Sequence, residues 1–184
     1  GVVTEGTKRQ QQAAQTKDRI TQCAIRLIME RGYDAITISD ICREAGVSNG
    51  NFYHYFTSKD DVLLFNYSGF DEFVEREFSK LHFDSPKEAI LALIYEQVVG
   101  VNEVGPKYQA QCMQAQLKHQ GGFVIERDRY FHRYLQKLVE QAVQAGEIHP
   151  SYGAEEVARM ILQTSRGILS DWSIRGGPYP AEKQ

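Results

Sequence analysis

The sequence predicts an all-α chain, with a small three-helix head at the N-terminus and a larger helical bundle behind it. Three observations carry that prediction. Apolar residues recur at three- and four-residue spacing across most of residues 16–174. No segment shows the apolar-polar alternation of a strand, and there is no internal repeat. The breaks fall at helix punctuation: Gly32, Gly46, Asp84-Ser85-Pro86, Gly105-Pro106, Gly121-Gly122 and Gly176-Gly177-Pro178. The 184 residues allow one large domain or two small ones. Their patterning divides into a flexible N-terminal arm (1–15), a head (16–60) and a body (61–184).

Residues 1–15 are polar and glutamine-rich, without apolar periodicity, and are expected to be flexible. The first helix is expected from about Thr16 to Arg31, with Ile20, Ala24, Leu27 and Ile28 on one face and Gly32 as its stop. Thr37 then reads as an N-cap, with Asp40 completing an approximate capping box. Ile38, Ile41, Cys42 and Ala45 form one apolar face of a short second helix. Gly46 can take the left-handed backbone that ends it, and Val47 can plug the corner. Ser48 caps a third helix that opens with Asn49, Gly50 and Asn51 and closes with Phe52, Tyr53, Tyr55 and Phe56.

Behind the head, Lys59 to about Leu81 reads as one long helix, with Val62, Leu63, Phe65, Phe70, Phe73, Val74 and Phe78 as its apolar surface. Ser85 caps the next helix, Pro86 occupying its first position. Ile90, Leu93, Ile94, Gln97, Val98 and Val101 face inward along it as far as Gly105-Pro106. A shorter helix runs to about His119. After Gly121-Gly122 a long helix patterned on Tyr130, Phe131, Tyr134, Leu135, Leu138 and Ala142 ends near Ala145-Gly146. Ala154 to about Ile174 is the last clear helix, burying Val157, Ala158, Ile161, Leu162, Ile168, Leu169 and Trp172.

Two helices joined by a short glycine turn form a helix-turn-helix, whose second helix enters the major groove of DNA by its N-terminal turn. Duplex DNA is therefore the expected partner of the head. Residues 20–64 also resemble the TetR family of bacterial transcriptional regulators. The resemblance rests on Gly32-Tyr33, Thr37-Ile38-Ser39-Asp40-Ile41, Ala45-Gly46-Val47-Ser48 and Phe52-Tyr53-His54-Tyr55-Phe56, followed by Ser58-Lys59. It covers about a quarter of the chain, with agreement across three helices and both turns. Beyond Phe65 only length and helical character agree. The resemblance implies a helical regulatory body, a dimer, and one further helix after residues 154–174.

Base edges are read from the first turn of the docked helix, so Asn49, Gly50 and Asn51 are the base-reading candidates. Asn can bond an adenine edge at two points, and Gly lets the backbone approach closely. The same asparagines also simply favour a helix start. Thr37, Ser48, Tyr53, His54 and Lys59 are the phosphate-side candidates. For Tyr53 and Lys59 the resemblance implies the same role. Phe52 and Phe56 read as core, and Tyr55 fits either role. Lys8 and Arg9 fit an arm that follows DNA or a solvated tail.

In the body, Phe70, Tyr95, Met113, Gln116, His119, Phe123, Phe131, Tyr134 and Trp172 are candidates to line an effector site, although an aromatic at helical spacing is usually core. Gln116 and His119 stand out as polar residues in an apolar stretch. Ala158, Ile161, Ser165 and Ile168 are the candidates for a dimer interface, with packing inside one subunit as the alternative.

Composition narrows the classes. Apolar residues make up 42% and charged residues 24%, as in ordinary globular proteins, and the net charge is −3. Residues 1–60 carry net +1 and the remainder −4, which suits a protein that grips few phosphates through a dimer rather than one that coats DNA. No apolar run is long enough for a membrane span, and the polar start lacks the core of a secretory signal. Cys23, Cys42 and Cys112 lie singly on helical patterns. A cytoplasmic protein with reduced thiols is expected. The five histidines show no metal-ligand spacing, and no nucleophile elbow, phosphate loop or dinucleotide fingerprint is present, so no catalytic residue, metal or cofactor is expected.

The resulting expectation is a repressor that sits on a pseudo-palindromic operator as a homodimer and is released by a small, largely apolar effector. The alternative is a helical carrier or adaptor whose head does not bind DNA.

Overall fold

The computed structural model describes residues 5–177. The protein is all-α. Its helices are α1 (Glu5–Arg31), α2 (Ile38–Ala45), α3 (Asn49–Tyr55), α4 (Lys59–Arg76), α5 (Pro86–Lys118), α6 (Tyr130–Gln144) and α7 (Ala154–Ile174), with 3-10 turns at Phe78–Lys80 and Gly122–Ile125. They form two compact units, Gly1–Asn66 and Tyr67–Gln184. The division falls inside α4, slightly beyond the boundary at residue 60 drawn from the sequence.

In the first unit, Ile20, Ala24, Leu27 and Ile28 of α1 are buried with Ile36, Ile41, Cys42, Ala45, Phe52, Phe56, Val62 and Leu63. Burying each of the Ile, Leu, Val and Phe side chains contributes roughly 1.5–3 kcal/mol. Arg26 pairs with Glu44, adding a tie between α1 and α2.

α1 starts at Glu5, well before Thr16. Thr16 does not cap a helix but bonds back to the Gln12 carbonyl at 2.8 Å, and residues 8–12 are exposed. The added turns carry Lys, Arg, Gln and Ala, all strong helix formers. Residues 8–12 bury nothing, so they show no apolar period. Of the expected arm, residues 1–4 lie outside the described residues.

The second unit is a bundle in which α5, α6 and α7 pack on one another. Its main core joins Val74, Phe78, Leu93, Phe131, Leu135, Val139, Ala142 and Leu162, with Phe70, Phe73, Phe83 and Tyr134 against it. α4 stops at Arg76, not near Leu81, and the chain tightens into the 3-10 turn. That turn delivers Phe78 to the core, stacked on Phe83 at 5.3 Å and edge-on to Tyr134 at 6.2 Å. α6 begins at Tyr130, several residues after Gly121-Gly122, because a second 3-10 turn fills the interval and buries Val124.

The break expected at Gly105-Pro106 is a kink within α5. Gly105 has φ 85 and ψ 167, a backbone that a residue with a Cβ adopts only under strain. The Ser173 hydroxyl of α7 donates to the Pro106 carbonyl at 2.7 Å, fastening the kink. Trp172 is buried beside Val98 and Leu169 in a smaller cluster. Among the described residues, no helix is long and apolar enough to cross a membrane.

Candidate functional site

The turn between α2 and α3 is built from its caps. Thr37 Oγ1 accepts from the Asp40 amide at 3.1 Å, and Asp40 Oδ2 accepts from the Thr37 amide at 2.8 Å, a complete capping box. These bonds hold the Asp40 carboxyl below its ordinary range. At the other end Gly46 is left-handed (φ 65, ψ 37) and its N–H donates to the Arg43 carbonyl. The Val47 N–H donates to the Cys42 carbonyl at 3.0 Å, which completes a Schellman stop. Ser48 Oγ accepts from the Asn51 amide at 3.1 Å and starts α3 two residues later than the stop.

This geometry leaves Asn49, Gly50 and Asn51 exposed. Nothing beyond the Ser48 hydroxyl lies within 4 Å of a Cβ placed on Gly50, so the turn presents a smooth polar surface. Asn49 Nδ2 donates to Ser39 Oγ at 3.1 Å, tying α3 to α2. Tyr53 is 57% exposed and His54 is exposed, whereas Phe52 and Phe56 are buried and Tyr55 is half-buried. Phe52 packs edge-on under the Tyr53 ring.

Lys59 has a structural duty that its sequence position did not reveal. Its Nζ donates to the Tyr33 carbonyl at 2.9 Å and to the Ile36 carbonyl at 2.8 Å, and lies 4.2 Å from the centre of the Tyr33 ring. Tyr33 in turn donates its hydroxyl to Asp60, and burial with that bond pushes its pKa well up. Lys59 therefore clamps the loop between α1 and α2 onto the start of α4.

In the body the nine effector candidates divide. Phe131 and Trp172 are buried, and Phe70, Met113, Gln116, Phe123 and Tyr134 are half-buried. Tyr95 is 52% exposed and His119 is exposed, so neither faces inward as periodicity suggested. Tyr95 falls between the buried Leu93 and Val98, and His119 is the C-cap where α5 ends.

The bundle also holds a polar cluster that sequence reasoning missed. Arg129 is buried and bonds Asp71 at two points, Nε to Oδ2 at 3.0 Å and a terminal nitrogen to Oδ1 at 3.2 Å. It also donates to the Val124 carbonyl at 3.0 Å and lies 5.0 Å from the Phe123 ring. Asp71 accepts the Phe131 amide at 3.1 Å, so it caps the start of α6 from α4. Gln116 donates to the Tyr67 hydroxyl at 2.6 Å. Nearby, burial raises Tyr67, Tyr108 and Cys112 above their ordinary pKa values, Cys112 to about 12. A signal was present: Asp71, Val74 and Phe78 share one helical stripe, and an acid on a buried stripe demands a cation.

Two of the four dimer candidates are core. Ala158 is 4% and Ser165 3% exposed within the single chain, and the Ser165 hydroxyl bonds the Leu162 carbonyl. Ile161 and Ile168 are half-buried. The exposed face of α7 instead carries Met160, Thr164, Gly167, Asp171 and Ile174. Among the described residues no group of three or more His, Cys, Asp or Glu could hold a metal.

A family model for bacterial regulatory proteins of the tetR family matches residues 20–64. The HTH-type transcriptional repressor KstR2 of Mycolicibacterium smegmatis is 24% identical over 177 residues, covering 94% of this chain and 86% of its own. The fatty acid metabolism regulator protein of Bacillus subtilis is 24% identical over 166 residues, covering 88% and 85%. The crystal structure of FadR from Bacillus subtilis with stearoyl-CoA superposes with a TM-score of 0.66 at 22% identity, covering 90% of this chain and 91% of that one. With the capped helix pair of residues 37–55 inside the matched span, the head of the chain is similar to the helix-turn-helix part of bacterial regulatory proteins of the tetR family.

Proposed function

We propose that this regulator is a repressor that binds a pseudo-palindromic operator as a homodimer and leaves it when a small, largely apolar effector enters the body. The observation that carries the reading is the exposed, unbulky first turn Asn49-Gly50-Asn51, set by the Ser48 cap and the Gly46 stop. A groove-facing turn needs polar side chains and close backbone approach, and this one supplies both. Asn49, Gly50 and Asn51 would read bases. Thr37, Ser48, Tyr53 and His54 would hold phosphates, with Lys59 adding charge from its place in the loop clamp. Relatives named as repressors support the DNA half of the reading, and a structural neighbour crystallised with an acyl-CoA supports a body that holds a ligand with an apolar chain.

The dimer would form through the exposed face of α7, where Gly167 leaves open space for a partner backbone. α4 is the element through which an effector would act, since it supplies Asp71 to the body cluster and Lys59 to the head. A hundredfold loss of operator affinity requires the effector to favour the released state by about 2.7 kcal/mol. A gel shift against the promoter beside its own gene, at low salt, tests the proposal. A sequence-specific shift is expected. No shift at any protein concentration would leave a helical carrier as the better reading.

A further inference from the structure

Arg166 of α7 is a half-buried cation with a weak partner. Its guanidinium donates to the Val124 carbonyl at 3.4 Å, and no carboxylate lies among the groups that influence it. Burial, and then the charge of Arg129, push its pKa down. Arg129 cannot share its own counterion, because Asp71 is engaged at two points and by the Phe131 amide.

A second observation is independent of the first. Tyr108 is buried and its hydroxyl meets no nitrogen or oxygen partner; the weakly bonding Cys112 thiol is its neighbour. Arg166 and Arg129 donate to the same Val124 carbonyl, Arg129 lies 5.7 Å from the Tyr67 ring, and the Tyr67 hydroxyl receives Gln116, which shares one stripe of α5 with Tyr108 and Cys112, so the cation and the buried hydroxyl belong to one cluster. His132 adds a buried ring nitrogen without a partner, Nε2, while its Nδ1 meets the Glu126 carbonyl at 2.8 Å. Buried polar atoms are normally satisfied, and several left open together mark a place for a guest.

We propose that this cluster is the polar end of the effector site and takes a carboxylate, which pairs with Arg166 while Tyr108 supplies a further donor. The apolar skeleton of the ligand lies among aromatic side chains such as Phe70, Phe123 and Phe131. This rests on the effector reading above and sharpens it from a largely apolar molecule to an apolar acid. A planar guanidinium matches one carboxylate at two points. A polyphosphate headgroup fits less well, because residues 67–184 carry 13 Lys/Arg against 16 Asp/Glu, a net negative charge.

Trp172, the one tryptophan, is buried on the same helix as Arg166 and reports binding without DNA. The full-length protein is titrated with hexanoate, decanoate, tetradecanoate and phenylacetate, each against the matching alcohol, and with decanoyl-CoA. At least one acid is expected to perturb Trp172 fluorescence with affinity about tenfold or more above its alcohol. Arg166→Met should abolish that preference, Arg166→Lys should keep part of it, and Tyr108→Phe should weaken it without removing it. Equal binding of acid and alcohol, binding of decanoyl-CoA alone, no binding of any acid, or a preference that survives in Arg166→Met would overturn the proposal. The gel shift reads separately: a protein that binds an acid but no DNA loses the repressor reading and keeps this site.

Discussion

Arg129 and Asp71 meet inside the body as a two-point ion pair, with nitrogen–oxygen distances of 3.0 and 3.2 Å, and the same carboxylate receives the Phe131 amide. One pair thus joins α4, the segment before α6, and the first turn of α6. Removing one partner strands a buried charge, which costs about 3–5 kcal/mol. Asp71→Ala is expected to lower the thermal midpoint by roughly 6–20 °C for a chain of this size. Differential scanning calorimetry checks it. A midpoint within a degree or two of the parent would mean that the pair is solvated.

Lys59→Ala is expected to act twice. Loss of two bonds from a charged donor should destabilise the head by about 2–4 kcal/mol. Operator affinity should fall alike for every sequence, with a shallower salt dependence. If the midpoint drops but the salt slope stays, the lysine is a clamp and not a phosphate contact.

Asn51 and Tyr53 should separate by specificity. Asn51→Ala is expected to relax preference at one base pair per half-site, by about 1–3 kcal/mol. Tyr53→Phe should weaken all sites equally and leave stability unchanged, because Tyr53 is exposed. A binding profile over randomised operators measures both. An unchanged profile for Asn51→Ala would remove it from the base readers.

His132 predicts a pH dependence. Burial, and then the Arg129 charge, lower its pKa from 6.5 to about 4 in the folded protein. The unfolded chain therefore binds the extra proton first as pH falls. Stability from this group is complete above about pH 6.5 and is lost progressively toward pH 4. Thermal midpoints measured across that range should fall less steeply in His132→Gln than in the parent. Parallel curves would show that the ring is already solvated.

Much of the head was legible in the residues. Both caps, the left-handed Gly46 and the start of α3 at Asn49 followed from local chemistry, since each bond links neighbours within five positions. The Lys59 clamp was not legible, because it reaches back 26 and 23 positions to carbonyls whose placement depends on the folded loop. The body repeats the contrast. Helix punctuation located the Gly105 kink and the Ser85 cap, but Arg129 and Asp71 are 58 positions apart and only tertiary packing pairs them. Ala158 and Ser165 were ambiguous for another reason: small residues permit close packing equally well inside a subunit or between two. The helical start at Glu5 escaped notice because a solvated helix has no apolar rhythm.

The bond from Asn49 to Ser39 has a consequence for how such a regulator changes targets. The Ser39 hydroxyl of α2 fixes the orientation of the Asn49 amide at the turn proposed to face the groove. On the proposed reading, replacing Ser39 would free the Asn49 amide to bond a different purine or pyrimidine, so operator preference could shift through a residue outside the candidate readers.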